Sequence, residues 1–173
     1  MYKLLIIVGS VAMLSGNATT KQNEFQPDLN QLAPVVLFSE EQHACLAKTI
    51  YWEGRNQSIA GMAAIGHVVM NRVASPDFPN TACDVVHQGG AEQRHRCQFS
   101  YYCDGKSDQP NLDNALELQA WDWANLIAEL ILIGEMQDIT HGSTFYHATY
   151  VEPDWSEKFI QVAAYGDHVF YVN

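Results

Sequence analysis

The pattern of apolar and polar positions predicts two helices at the start of the folded region. Ser39 and Gln42 form a capping box, in which the hydroxyl accepts from a free backbone amide and the Gln side chain reaches back. Apolar residues then recur at helical spacing to about Glu53. A second helix opens at Ser58 and must end before Pro76. It is apolar on most sides and rich in Ala and Gly, so we expect it at the centre of the fold.

The rest of the chain alternates between turns, one long helix and short extended segments. In chain order the pattern predicts a short apolar turn within residues 77–90, an extended hairpin-like segment over 98–102, a helix over 114–133, a strand over 144–151, a short helix after Pro153 and a closing strand over 168–172. The sum is an α+β domain that is mainly helical, with a small β-hairpin or sheet region.

The N-terminal residues have the features of a secretory signal. Lys3 supplies a positive charge, residues 4–14 are almost wholly apolar, and residues 16–18 are small, as a signal peptidase requires. The apolar run is shorter than the roughly 20 residues that cross a bilayer. We therefore predict a signal peptide over 1–18, a linker over 19–36 and one domain over 37–173. An anchor or a buried helix is the alternative interpretation of the first segment.

Composition limits the partners that the protein can have. The 173 residues suit a single domain, and 47% hydrophobic residues can build a real core. The chain contains nine Lys and Arg residues and 20 Asp and Glu residues, which gives a formal net charge of −11. That charge disfavours binding to nucleic acid or to anionic lipid. We expect an exported monomer in the periplasm or outside the cell, without stable membrane insertion once the signal is removed.

The four cysteines are expected to pair, because export places them in an oxidising compartment. Pairing Cys97 with Cys103 would close a small loop and leave Cys45 with Cys83, but the sequence leaves all three connectivities open. Zinc is the competing interpretation. Because the chain has neither a C-x-x-C pair nor an H-E-x-x-H motif, we expect neither a metal nor another cofactor.

Glu53 is the most informative single residue for chemistry. It follows Tyr51 and Trp52 at the predicted end of the first helix. Apolar neighbours, the negative end of the helix dipole and a docked substrate would each raise the pKa of its carboxyl group. Contact with Arg55 would lower the pKa, and a Glu that merely faces solvent is the ordinary alternative.

Five collinear blocks of sequence carry a resemblance to a known family. They comprise residues 46–55 with 61–72, 78–81 with 83–86, 97–100 with 103–105, 144–148, and 166–171. Together they resemble the cell-wall hydrolase family typified by spore-cortex-lytic enzymes, and such a series is far more specific than any single motif. Two positions depart from the family pattern: Gly54 stands where Ala is commoner, and Phe145 where His is common.

The resemblance implies a lysozyme-like domain that cleaves peptidoglycan between N-acetylmuramic acid and N-acetylglucosamine. Glu53 matches the catalytic acid of the family. A hydrolase would need a second carboxylate, and among Asp104, Asp108 and Asp154 none stands out. The resemblance instead suggests lytic transglycosylation, in which the muramic 6-hydroxyl attacks C1 and one Glu serves first as acid and then as base.

Other residues are assigned to the cleft or to its support. In this interpretation Gln98, Phe99 and Ser100 line the groove, and strand pleating favours Tyr146 facing the cleft. His147 and His168 are expected to be structural. The supporting residues are Asn71 and Arg72, which can brace Glu53, and Asp104, which also belongs to a turn.

Two other functions stay open at this point. One is a non-catalytic module that binds glycan on the same fold. The other is a zinc-dependent amidase or peptidase acting on the peptide stems, to which the seven His residues lend support. The sequence specifies neither the stem-peptide preference nor whether the wall attacked is the cell's own.

Overall fold

The computed structural model of the protein describes residues 39–89 and 97–173. The predicted signal peptide and linker lie outside these residues. Within the described ranges, no helix is both long and apolar enough to cross a bilayer. Four α-helices and a three-stranded sheet form the domain: α1 Glu40–Gly54, α2 Ile59–Ala74, α3 Ala82–His87, α4 Ala115–Leu132, β1 Phe145–Ala148, β2 Ile160–Tyr165 and β3 His168–Val172.

The helices begin where polar side chains cap them. The Ser39 hydroxyl accepts from the amide of Gln42, and Ser58 and Asn114 cap α2 and α4 in the same way. The other hydrogen bond of the predicted capping box, in which the Gln42 side chain reaches back to the start of the helix, is wrong. The Gln42 side chain instead accepts from the amide of Cys83 at 3.1 Å, and so ties α1 to α3.

Helix α2 lies at the centre, as its composition predicts. A Cβ on Gly66 would lie 2.8 Å from Ile50 of α1 and 2.7 Å from Ile131 of α4. Such distances are too short for real carbon contacts, so glycine is what lets the three helices approach closely. On the sheet side, Phe170 of β3 packs against Ala64 and Val68 of α2.

The sheet is antiparallel with strand order β1-β3-β2, which makes the closing strand β3 central. Strand β2 is absent from the sequence prediction, and the predicted short helix after Pro153 is wrong. Residues 154–158 form turns instead, in which the amide of Ser156 donates to Pro153 at 2.9 Å. Strand β2 was missed because it lies at a sheet edge and is largely exposed, so its faces do not alternate cleanly.

The predicted extended hairpin over 98–102 is also wrong, because residues Ser100–Cys103 form a short 3₁₀ helix. The cause is the Cys97–Cys103 disulfide, which holds the two Cα atoms 6.1 Å apart. Six residues in extended conformation would span about 20 Å. The second disulfide joins Cys45 of α1 to Cys83 of α3 with Cα atoms 5.2 Å apart. The four cysteines thus pair as expected, in one of the three connectivities that the sequence left open.

Candidate active site

A cleft of about 520 Å³ runs between the end of α1, the 3₁₀ segment and the β2–β3 turn. This volume is in the range of small-molecule sites. It is lined by Trp52, Glu53, Arg55, Asn56, Gln57, Ser100, Tyr101, Asp104, Lys106, Ser107, Asp108, Ala148, Tyr150, Asp167 and His168. The lining comes from segments that are far apart in sequence, and the domain brings them together around Glu53.

Glu53 lies half-buried in the last turn of α1, in the wall of the cleft. Burial raises the pKa of its carboxyl group, and a hydrogen bond from Tyr146 partly opposes that rise. The Tyr146 hydroxyl donates to Oε2 at 3.1 Å. Because Tyr146 occupies Oε2, the arrangement favours Oε1 as the oxygen that carries the proton of the acid.

The phenol of Tyr146 stays protonated at neutral pH. Burial, and next the negative charge of Glu53, hold the pKa of Tyr146 well above its usual value, while Arg72 acts in the opposite direction. The phenol is therefore a fixed donor. Tyr146 packs partly buried against the core, and its hydroxyl holds Glu53. The structure thus places it as a support of the acid outside the cleft lining, and its predicted contact with substrate stays a prediction.

Arg72 is a buried cation beneath the site, with 2% of its surface exposed. Its Nε donates to the carbonyl of Thr144 at 2.7 Å, and its guanidinium lies 5.3–5.9 Å from the ring centroids of Phe78, Phe99 and Phe145. Burial lowers its pKa to about 10, partly offset by Tyr146, so it stays charged at neutral pH. Phe145, one departure from the family pattern, thus packs on Arg72.

The bracing role predicted for Arg72 is indirect. Its bond to Thr144 fixes the residue just before β1, two positions from Tyr146, and Tyr146 holds Glu53. Asn71 does not reach Glu53 either. Its amide donates to Asp138, to the hydroxyl of Thr140 and to the carbonyl of Ser143 at 3.0–3.2 Å, so the predicted direct hydrogen bond to Glu53 is wrong and Asn71 orders the loop before β1.

The segment predicted to line the groove divides into two parts. Ser100 lines the cleft together with Tyr101. Phe99 does not: it is 1% exposed and belongs to the core, because the 3₁₀ turn directs its ring inward onto Arg72. Gln98 also lies outside the cleft lining. With its amide oxygen turned towards Arg72, that oxygen accepts from Nη1 and Nη2 at 3.1 Å each.

The two strand histidines have different surroundings. His147 is structural, as expected, because its ring bonds the carbonyl of Ala148 and the hydroxyl of Tyr171, each at 2.9 Å. His168 opens the closing strand β3, as expected, and it also lines the cleft.

Arg55 does not neutralise the acid, although only one residue separates them. Its Nη1 lies 3.2 Å from the carboxylate of Glu117, and its guanidinium stacks 4.7 Å above the Trp52 ring. The raised pKa of Glu53 is therefore not cancelled by this cation. Among the other acids of the cleft, Asp104 accepts from the amide of Lys106 at 2.8 Å. Asp167 accepts from the amide group of Gln57 at 3.2 Å.

Sequence reasoning missed several residues of the cleft wall. Trp52 could have been found as the aromatic neighbour of Glu53, and its indole donates to the carbonyl of Asp108 at 3.3 Å. Gln57 and Tyr150 offered no local signal, because the folded contacts alone place them at the cleft. Asp167 lies in the family block 166–171, but the sequence did not assign it to the cleft. Among the described residues, no group of three or more acidic, His or Cys side chains could hold a metal ion.

The domain is mainly helical with a small sheet, and a carboxyl group with a raised pKa lies in the wall of its cleft. A carboxyl group of this kind can serve as a general acid. The chain belongs to the cell wall hydrolase family, whose model matches residues 56–171. The match begins three residues after Glu53.

Relatives agree with this assignment. The chain is 31% identical over 74 residues to the spore cortex-lytic enzyme of Bacillus cereus, covering 42% of this chain and 29% of that protein. It is 37% identical over 51 residues to the spore cortex-lytic enzyme of Bacillus subtilis strain 168, covering 30% of this chain and 17% of that protein. The match thus spans less than a third of these relatives, and the predicted family resemblance is confirmed.

Solved structures share the fold. The catalytic domain of the germination-specific lytic transglycosylase SleB from Bacillus anthracis has a TM-score of 0.56 at 23% identity, covering 78% of this chain and 97% of that one. The catalytic domain of the Bacillus cereus SleB protein has a TM-score of 0.53 at 20% identity, covering 79% and 93%. The predicted fold class, α+β and mainly helical, is confirmed.

Proposed function

We propose that the protein is a peptidoglycan-degrading glycosidase that cleaves the bond between N-acetylmuramic acid and N-acetylglucosamine as a lytic transglycosylase, with Glu53 as general acid and base. One observation carries the proposal. Glu53 is a carboxyl group with a raised pKa that is held by Tyr146 at the wall of the cleft, and no Lys or Arg among the described residues forms an ion pair with it. Family membership and the germination-specific lytic transglycosylase with the same fold support the choice of substrate and reaction.

A single carboxyl group, that of Glu53, can serve as both the acid and the base of this reaction. Glu53 gives its proton to the glycosidic oxygen as the bond from C1 of the muramic residue to that oxygen breaks. The 6-hydroxyl of the same muramic residue then bonds to C1, and its proton passes to the Glu53 carboxylate. The products are a 1,6-anhydro-muramic end and a free hydroxyl on the leaving sugar, and the acid is restored without consuming water.

Tyr146 takes part in both halves of this cycle. While Glu53 is protonated, the Tyr146 bond to Oε2 orients the carboxyl group. As the proton leaves, the same bond becomes a charge-assisted hydrogen bond to a carboxylate and grows stronger. An interaction that strengthens on the way to the transition state accelerates the reaction rather than merely tightening binding.

We further propose that the protein acts outside the cytoplasm, in the periplasm or beyond. Two disulfides, Cys45–Cys83 and Cys97–Cys103, join the described residues, and such bridges persist in oxidising compartments. Membership of a cell wall hydrolase family supports the same location. A fusion of residues 1–40 to a reporter that is active only when exported tests this: activity is expected, and retention of the reporter in the cytoplasm would refute it.

The decisive experiment is mass analysis of products released from purified sacculi. Wild type is expected to release muropeptides with 1,6-anhydro ends, and Glu53→Gln to release none while it unfolds as cooperatively as wild type. Asp104→Asn is the matched control, an acid of the same cleft whose amide form should retain most activity. Reducing ends one water heavier would indicate hydrolysis instead.

The same assay separates the other candidates. A glycan-binding module would bind sacculi equally as wild type and as Glu53→Gln, with no product from either. A zinc-dependent amidase or peptidase would release stem peptides and lose activity with a chelator.

A further inference from the structure

His168 is a cleft residue that the proposed reaction does not use. It opens the central strand β3, lies opposite Ala148 of β1 and Tyr165 of β2, and is 9% exposed. Its ring meets that of Tyr146 edge to face at a centroid distance of 5.4 Å. Tyr146 in turn holds Glu53, so the imidazole and the acid both contact the same partly buried tyrosine and line the same cleft.

The two ring nitrogens of His168 have different surroundings. Nδ1 is fully enclosed and has no hydrogen-bond partner within the described part of the chain. The edge of the ring that lines the cleft is therefore the one that carries Nε2. Among these residues Nδ1 lacks a partner in either tautomer, but native structures tolerate a buried acceptor without a donor more readily than a buried N–H donor without an acceptor. The favoured form is thus neutral, with its N–H at Nε2.

The surrounding charges agree with a neutral ring. Burial lowers the pKa of His168, the neighbouring Asp167 opposes this, and His147 on β1 reinforces it. Asp167 also decides which ligand suits the ring. A carboxylate bound at Nε2 would lie close to the Asp167 carboxylate and be repelled, whereas a neutral oxygen would not.

We propose that His168 is a substrate-positioning residue, whose Nε2–H donates a hydrogen bond to a neutral oxygen of the glycan, an acetamido carbonyl or a hydroxyl, on the sugar bound beside Glu53. The proposal rests on the proposed function and specifies how that site recognises its substrate. A donor on the central strand of a sheet is fixed in position, so it can define where the sugar ring lies relative to the acid.

Three substitutions test the role through geometry. The amide group of Gln reaches the position of Nε2, whereas that of Asn reaches only the position of Nδ1. We expect His168→Gln to keep kcat/KM on sacculi within about threefold, and His168→Asn and His168→Ala to lose about tenfold, the effect of one hydrogen bond. His147→Gln, on the same sheet but outside the cleft lining, is the control and should change nothing. Losses that follow the melting temperature across the three variants would overturn the proposal.

A binding measurement separates this inference from the proposed function, because it needs no turnover. In a Glu53→Gln background, tetra-N-acetylchitotetraose should bind about tenfold more weakly after His168→Ala, and nearly unchanged after His168→Gln. If the partner is an acetamido carbonyl, the Ala effect disappears with the de-N-acetylated tetramer; if it is a hydroxyl, the effect persists. Equal affinity of the Ala variant and its parent for both tetramers refutes the role of His168. Absence of binding by the parent would refute glycan recognition itself.

Discussion

Tyr146→Phe isolates one hydrogen bond at the candidate site, the one from the phenol to Oε2 of Glu53 at 3.1 Å. The phenyl ring keeps its stacking on Phe170 and its edge contact with His168, so the core should hold. What the variant loses is the donor that stabilises the Glu53 carboxylate once the proton has gone to the glycosidic oxygen.

The magnitude follows from the charge of the acceptor. A hydrogen bond to a charged group contributes about 1.5–3 kcal/mol. If all of it is gained as the carboxylate forms, kcat falls about 10- to 100-fold. KM should change little, because Tyr146 is not part of the cleft lining.

Although the rate falls, the pH profile of kcat should shift to higher pH. The Tyr146 bond lowers the pKa of Glu53, so its loss raises that pKa further. Glu53 acts in its protonated form, and activity is lost as the pH rises through its pKa. The alkaline limb of kcat should therefore shift to higher pH in the slower variant.

Steady-state release of anhydro-muropeptides from sacculi, measured across pH, tests both effects. Tyr165→Phe is the matched control: its hydroxyl donates to the carbonyl of Ile139 at 3.1 Å, and Tyr165 is not among the cleft residues. That control should keep kcat and the pH profile. An unchanged kcat in Tyr146→Phe, or an alkaline limb that moves to lower pH, would refute the reasoning.

Three further predictions concern stability. The pKa of Glu53 is raised above its ordinary 4.5, so the folded wild type binds more protons than the unfolded chain and loses stability as the pH rises from 4.5 through the folded pKa. The melting temperature of Glu53→Gln should therefore rise relative to that of wild type across this pH window. A difference in melting temperature that is the same at all pH values would contradict this. Replacing the Cys45–Cys83 pair by Ser should lower the unfolding free energy in urea by about 4 kcal/mol, against about 2 for Cys97–Cys103, because the loops closed span 38 and 6 residues; equal losses would refute the loop argument. Arg72→Lys should lower the unfolding free energy by about 1–3 kcal/mol in the same assay, since an ammonium cannot both bond the Thr144 carbonyl and stack on three phenyl rings. An unchanged unfolding free energy would show that this geometry is unimportant.

The helical part of the fold was predictable because its signals are local. The predicted helices start at polar residues that can act as N-caps, and in the structure these residues do cap α1, α2 and α4: Ser39, Ser58 and Asn114. Local signals fail where a distant or covalent constraint decides. The 98–102 segment has the composition of a strand, yet the Cys97–Cys103 bridge folds it into a 3₁₀ turn.

The candidate site was predictable only in part, for the same reason. Glu53 was a candidate from its aromatic neighbours and its place at a helix end, and the resemblance to the family's catalytic acid is what singled it out. The roles of Tyr146 and His168 depend on which face of a strand meets which helix, and pleating alone does not say whether an inward side chain reaches a cleft or a core. Arg72 shows most clearly what local sequence patterns do not predict. A buried guanidinium is rare, and the phenyl rings around this one come from three separate segments of the chain.

The contact between Glu53 and Tyr146 joins residues 93 positions apart. Within the described residues, the strand that carries Tyr146 pairs with β3 alone. A nascent or partly degraded chain that lacks residues 168–172 therefore possesses the acid but not the support that orients it. Under the proposed function such a chain would be inactive, because its acid would lack the hydrogen bond that orients the carboxyl group.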